Sequence, residues 1–151
     1  MLTVAEIMTR EPYTLSADDS LATARQLMAE HHIRHIPVVS VDNDLVGLVS
    51  HRDILSAADS SILNEVASGD SRDQYVAISS IMSYPVQTAT EQTSLRAAAM
   101  RLQQHKLGCL PVLNKSKLVG IITDADFVSI AINLMEQLEE TEPEEDDFDE
   151  L

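Results

Sequence analysis

Apolar residues along this chain fall into two rhythms, and the two rhythms alternate. Residues 21–30 place Leu21, Ala24, Leu27 and Met28 on one face of a helix. Residues 95–102 repeat the stripe with Leu95, Ala98, Ala99 and Leu102. Each helical stretch follows a serine, Ser20 or Ser94, of the type that caps a helix. Short β-branched runs come next, bounded by turn residues, and these predict buried strands over residues 35–39, 45–50, 109–113 and 118–123. Asp42-Asn43-Asp44 and residues 114–117 are the turns between them. A helix is predicted after each second strand, over about 51–58 and 124–140. Residues 4–8 read as a short helical lead-in, ended by Glu11-Pro12, and residues 13–15 as a short strand.

The alternation is a duplication. Leu45-Val46-Gly47-Leu48-Val49-Ser50-His51-Arg52-Asp53 matches Leu118-Val119-Gly120-Ile121-Ile122-Thr123-Asp124-Ala125-Asp126 at an offset of 73. Ile7-Met8, Ser20-Leu21 and Pro37-Val38 match Ile81-Met82, Ser94-Leu95 and Pro111-Val112 at an offset of 74. The first hairpin connection is one residue longer than the second, which accounts for the change. A period of this size marks a repeated supersecondary unit. A unit of about 60 residues buries too little surface to stand alone, so the two are expected to pack about a pseudo-twofold axis. The expected fold class is α/β, with two βαββα units.

In each copy a strand runs straight into a helix, with a hydroxyl residue at the junction and a carboxylate three positions on. These are Ser50 with Asp53, and Thr123 with Asp126. A helix start offers free N–H groups and attracts anions. A carboxylate accepts two hydrogen bonds from a vicinal diol, and a hydroxyl donates to a phosphate oxygen. The same residues also serve as ordinary helix caps.

Composition narrows the partners. The formal charge is −15, and residues 136–151 hold ten acids and no base, which leaves −5 for residues 1–135. That balance argues against nucleic acid and against an anionic membrane surface. No run of about 18 apolar residues is present, and the first residues lack a leader pattern, so a soluble cytoplasmic protein is expected. Aromatics are 3% and Trp is absent, so the core must be aliphatic. Cys109, the lone cysteine, is expected as a buried core thiol. His31, His32 and His35 straddle a helix end and a strand start and are not expected to converge on a metal. No nucleophile–base pair and no glycine-rich phosphate loop is present, and the chain does not read as an enzyme.

Taken together, Ile7-Met8 with Pro12, Ser20-Leu21, His35-Ile36-Pro37-Val38-Val39 and Gly47-x-x-Ser50-x-x-Asp53, with their second-copy partners, resemble a tandem CBS-domain pair, the Bateman module. Stand-alone pairs of the acetoin-utilisation type look most similar, on Lys106-Leu107-Gly108-Cys109-Leu110-Pro111-Val112. The resemblance divides the chain into repeat 1 (2–59), a linker (60–76), repeat 2 (77–140) and a disordered acidic tail (141–151). It implies a regulatory module that binds AMP, ADP, ATP or S-adenosylmethionine between the repeats and signals to a separate, unknown protein, with no obligatory cofactor. It also implies a homodimer formed through helices. By the same resemblance Asp126 and Asp53 hold ribose, Thr123 and Ser50 meet phosphate, and Arg34 and His35 add charge before the strand. Ile36-Pro37 and Leu110-Pro111 would form the adenine slots. Gly108 and Cys109 stand where Arg34 and His35 stand, so the two clefts are expected to differ. The competing reading is a ligand-free interaction module with plugged clefts. A nucleotide hydrolase or transferase is a third class, without a catalytic constellation to support it.

Overall fold

The computed structural model describes residues 1–64 and 73–141. In chain order the elements are α1 (Val4–Ile7), β1 (Thr9–Arg10), α2 (Leu21–His31), β2 (His35–Val39), β3 (Leu45–Ser50), α3 (His51–Asn64), β4 (Ala89–Thr90), α4 (Leu95–His105), β5 (Cys109–Asn114), β6 (Lys117–Thr123) and α5 (Asp124–Thr141). Two short 3-10 turns, Asp73–Tyr75 and Ile78–Ser80, lead into the second repeat.

The repeated sequence signals produce repeated local structure. Ser20 Oγ accepts from the Thr23 N–H at 3.2 Å and Ser94 Oγ from the Ala97 N–H at 3.0 Å, so α2 and α4 start with the same cap. Both helices end on a non-glycine residue in the left-handed region, His32 and Lys106, each at φ 54°. The chain then reverses into β2 or β5. Each of these strands pairs antiparallel with the next one, β2 with β3 and β5 with β6.

The two repeats exchange their leading segments. β1, from the first repeat, pairs with β6 of the second, Thr9 opposite Ile121. Ser83, from the second repeat, bridges to Leu48 on β3 of the first. The cores follow the exchange. Val4 and Met8 are buried with Leu95, Ala98, Leu110, Val112 and Ile122, whereas Ile78 is buried with Leu21, Ala24, Ile36, Val38 and Ile54. Gly47 and Gly120 make the crossings possible. A Cβ at Gly120 would lie 2.6 Å from Met8 Sδ and 2.9 Å from the Thr9 carbonyl, and Gly47 faces Met82 and Ser83 in the same way. Neither glycine has a positive φ, so space is the reason for both.

The hairpins meet near the pseudo-twofold axis. Leu45 N–H donates to the Ser116 carbonyl and Leu118 N–H to the Asn43 carbonyl, a symmetric pair of bonds. The result is the expected α/β pair of units.

Three expectations needed adjustment. The strand at residues 13–15 shrinks to a single parallel bridge, Leu15 to Val38, because the chain turns at once when Asp19 accepts from the Ser16 N–H at 2.8 Å. The strand at Thr9–Arg10 had no signal of its own, since it is defined by its partner in the other repeat. Helix α3 runs to Asn64 instead of ending near Ala58, with no Gly or Pro in that span to stop it, and so enters the stretch expected as linker. Residues 65–72 of the expected linker and 142–151 of the expected disordered tail lie outside the described residues.

Candidate functional site

At each strand-to-helix junction the hydroxyl and carboxyl residues bond reciprocally. Ser50 N–H donates to Asp53 Oδ2 at 2.8 Å, and Asp53 N–H donates to Ser50 Oγ at 3.2 Å. Thr123 N–H donates to Asp126 Oδ2 at 2.8 Å, and Asp126 N–H to Thr123 Oγ1 at 3.3 Å. These are capping boxes, with Asp in the role usually given to Glu or Gln. Each helix is further pinned to the preceding hairpin: His51 N–H donates to the Arg34 carbonyl and Asp124 N–H to the Gly108 carbonyl.

The two junctions differ in one proton. Thr123 Oγ1 also donates to Asp126 Oδ2, at 3.3 Å. Ser50 Oγ only accepts among the described residues, so its hydroxyl proton is available to a guest. Oδ1 of Asp53 accepts nothing from the described residues either.

An open cleft of about 740 Å³ lies against the Ser50 junction. Ser50, His51, Arg52, Asp53 and Leu55 line one side, from the end of β3 and the first turns of α3. Arg34 and His35 come from the start of β2. Leu48 of β3 also lines it, and the second repeat supplies the rest: Ser83 and Pro85 to Gln87 ahead of β4, Lys106 to Cys109 after α4, and Asp124 at the head of α5. The cleft is therefore walled by both repeats.

Of the residues singled out from sequence, Ser50, Asp53, Arg34 and His35 meet in this cleft. Thr123 and Asp126 sit half-buried at the other junction and do not line it. Leu110 and Pro111 are fully buried in β5, and they do not line it either. Lys106 and the Pro85–Gln87 segment carried no signal as site residues. The offset arithmetic aligns them with His32 and with Glu11, Pro12 and Tyr13, but only the exchange of leading segments shows which cleft they join.

His35 occupies the boundary between the repeats. Its ring rests on Gly108, where any side chain would overlap Nε2 and Cε1. Burial lowers its pKa, Arg34 lowers it further, and Asp124 and Asp53 oppose them. The imidazole is therefore neutral at pH 7. Cys109 beside it is pushed up to about 12 by burial, with Asp124 adding to the effect, so its thiol stays protonated and is no nucleophile. Among the described residues no group of three or more His, Cys, Asp or Glu is placed to hold a metal. His31 stacks instead on Tyr13, with ring centroids 3.9 Å apart.

The sequence profile of the CBS domain matches twice, over residues 4–60 and 78–133. The chain is a member of the CBS-domain family. A CBS domain-containing protein of Bacillus subtilis, YhcV, is 31% identical over 135 residues, which cover 89% of this chain and 87% of that one. The crystal structure of a Vibrio cholerae protein assigned to acetoin utilization, AcuB, superposes with a TM-score of 0.77 at 43% identity, over 95% of this chain and 99% of that one. The tandem CBS pair is thus shared end to end with solved relatives. CBSX2, solved with AMP, is 28% identical over 89% of this chain and 99% of its own, with a TM-score of 0.74. The CBS pair of MJ0100, solved with 5-methylthioadenosine and S-adenosyl-L-methionine, is 26% identical over 85% of this chain and 98% of its own, with a TM-score of 0.73. Homoserine O-acetyltransferases of methanogens such as Methanosphaerula palustris match at 31% identity over 80% of this chain. The chain spans only 22–23% of the length of those enzymes, so the match carries no acetyl-transfer chemistry to it. No helix among the described residues is long and apolar enough to cross a membrane.

Proposed function

We propose that this CBS pair is a regulatory module that binds an adenosine-containing ligand in the cleft at Ser50 and signals its occupancy to a partner protein. The observation that carries the reading is the free Asp53 Oδ1 and the free Ser50 hydroxyl proton at one mouth of an open, two-repeat cleft. Asp53 suits the ribose diol, and Ser50 with the α3 N-terminus and Arg34 suits a phosphate. The AMP and S-adenosylmethionine complexes of CBSX2 and MJ0100 support the ligand class. A guest touching both repeats favours whichever mutual arrangement lets it touch both, and that preference is the signal. A volume of about 740 Å³ speaks against a plugged, ligand-free module.

A second copy of the chain fits the exposed face of α5. Val128, Ile132, Met135 and Leu138 recur every three or four residues, and each is more than half exposed. Such a stripe is costly in water and suits a homodimer formed helix to helix.

Isothermal titration with AMP, ADP, ATP and S-adenosylmethionine tests the ligand reading. Binding of at least one, weakened at least tenfold by Asp53→Ala, is the expected result. Folded protein that binds none at millimolar concentration sinks it.

A further inference from the structure

Five of the nine Lys and Arg among the described residues make no salt bridge or side-chain hydrogen bond to a described residue; Arg96 and Lys115 lie away from the cleft, and the other three line it. Arg10, Arg25 and Lys117 pair with Glu91, Asp73 and Asp44, and Arg101 donates to the Thr88 carbonyl. Arg34, Arg52 and Lys106 line the cleft, and none of the three makes a salt bridge or side-chain hydrogen bond to a described residue. In a chain of charge −15, three unpaired permanent cations around one opening form a local positive field. Asp53 and Asp124 also face the cleft, but Asp53 has one oxygen committed to the Ser50 N–H.

The cations come from both repeats. Arg34 precedes β2 and Arg52 opens α3, while Lys106 reaches in from the end of α4. The left-handed backbone at Lys106, held by N–H bonds to the Gln103 and Leu102 carbonyls, fixes where that side chain leaves the helix. The repeat offsets put Ala125 at the place of Arg52 and His32 at the place of Lys106. The charge is therefore one-sided.

We infer that Lys106 and Arg52 make the Ser50 cleft selective for a nucleoside polyphosphate over a monophosphate or a sulfonium nucleoside. The inference rests on the adenosine reading of this cleft and narrows it. One phosphate is met by Ser50, Arg34 and the helix start. A second and third extend toward Arg52 and Lys106, neither of which forms a salt bridge to a described residue. Phosphate–cation contacts are charge-assisted and strong for their size. S-adenosylmethionine presents a positive sulfur to the same field and is disfavoured.

The test compares ATP, AMP and S-adenosylmethionine by isothermal titration of the full chain, free of divalent cations, at two salt concentrations. ATP is expected to bind about tenfold more tightly than AMP. Its affinity should fall more steeply with salt, because more charge is screened. Lys106→Ala and Arg52→Ala should each lower the ATP-to-AMP affinity ratio several-fold. Lys115→Ala, which removes an exposed base in the β5–β6 turn away from the cleft, should leave that ratio at its starting value. AMP or S-adenosylmethionine binding as tightly as ATP overturns the selectivity and leaves the adenosine reading standing. Failure of all three to bind overturns both.

Discussion

Asp53 commits one carboxylate oxygen to the capping box with Ser50, and the other accepts nothing from the described residues, which is why the proposed ribose contact rests on it. Asp53→Ala should therefore cost about 1 kcal/mol of stability as well as ligand affinity. His35 gives a separate, pH-dependent prediction. Burial holds its folded pKa below the ordinary 6.5, so the unfolded chain binds the extra proton first. Its contribution to stability is complete above pH 6.5 and is lost as pH falls from there toward the lowered value. Urea denaturation at pH 7.5 and 5.5 should show that loss, with a slope of at most about 1.4 kcal/mol per pH unit from this one group. His35→Gln should reduce the pH dependence; an unchanged dependence would remove His35 from the account. At this scale the sequence was only partly readable. Ser50 and Asp53 were visible because type and spacing repeat in Thr123 and Asp126, whereas Arg34 and His35, which Gly108 and Cys109 replace in the second copy, were visible only through the family resemblance. Leu110 and Pro111 were visible as strand residues, but nothing in their pattern separates a core strand from a slot wall. Lys106 gave no signal because its place beside Arg34 and Arg52 is set by how the repeats pack and by no local pattern.

The elements were legible where periodicity is strong. The stripes of α2 and α4 and the runs of β2, β3, β5 and β6 follow from hydrophobic spacing alone. What spacing does not carry is exchange. β1 exists because β6 of the other repeat accepts it, and a two-residue strand has no period. Gly47 and Gly120 were legible as repeated residues, and the fold supplies their reason, the close passage of Met82 and Met8. Gly120→Ala should destabilise by about 1–3 kcal/mol, since the Thr9 carbonyl is backbone and cannot step aside cheaply. Thermal denaturation of the variant checks this. Helix α5 carries the prediction about assembly. Ile132→Glu places a charge in the exposed apolar stripe and should convert a dimer to a monomer in light scattering. A wild-type chain that is already monomeric would remove the helix-to-helix dimer from the proposal.

At the scale of the molecule, duplication does three things at once. It gives each repeat a lead segment that completes the other's core. It joins the hairpins by symmetric bonds near the axis. It also makes two strand-to-helix junctions that small differences render unlike, of which the Ser50 junction lines a cleft walled by both repeats. The Thr123 hydroxyl turns back on Asp126, whereas the Ser50 hydroxyl does not, and Arg34, Arg52 and Lys106 line the Ser50 cleft. A regulatory module needs such a boundary, since a guest held by both halves links occupancy to their relative position. The most direct test is a crystal soaked with ATP and its structure solved. Density for a nucleotide in the Ser50 cleft, with ribose hydroxyls on Asp53 and phosphates between Arg34, Arg52 and Lys106, is the predicted result. An empty Ser50 cleft at saturating nucleotide, or a nucleotide seated elsewhere on the chain, would contradict it.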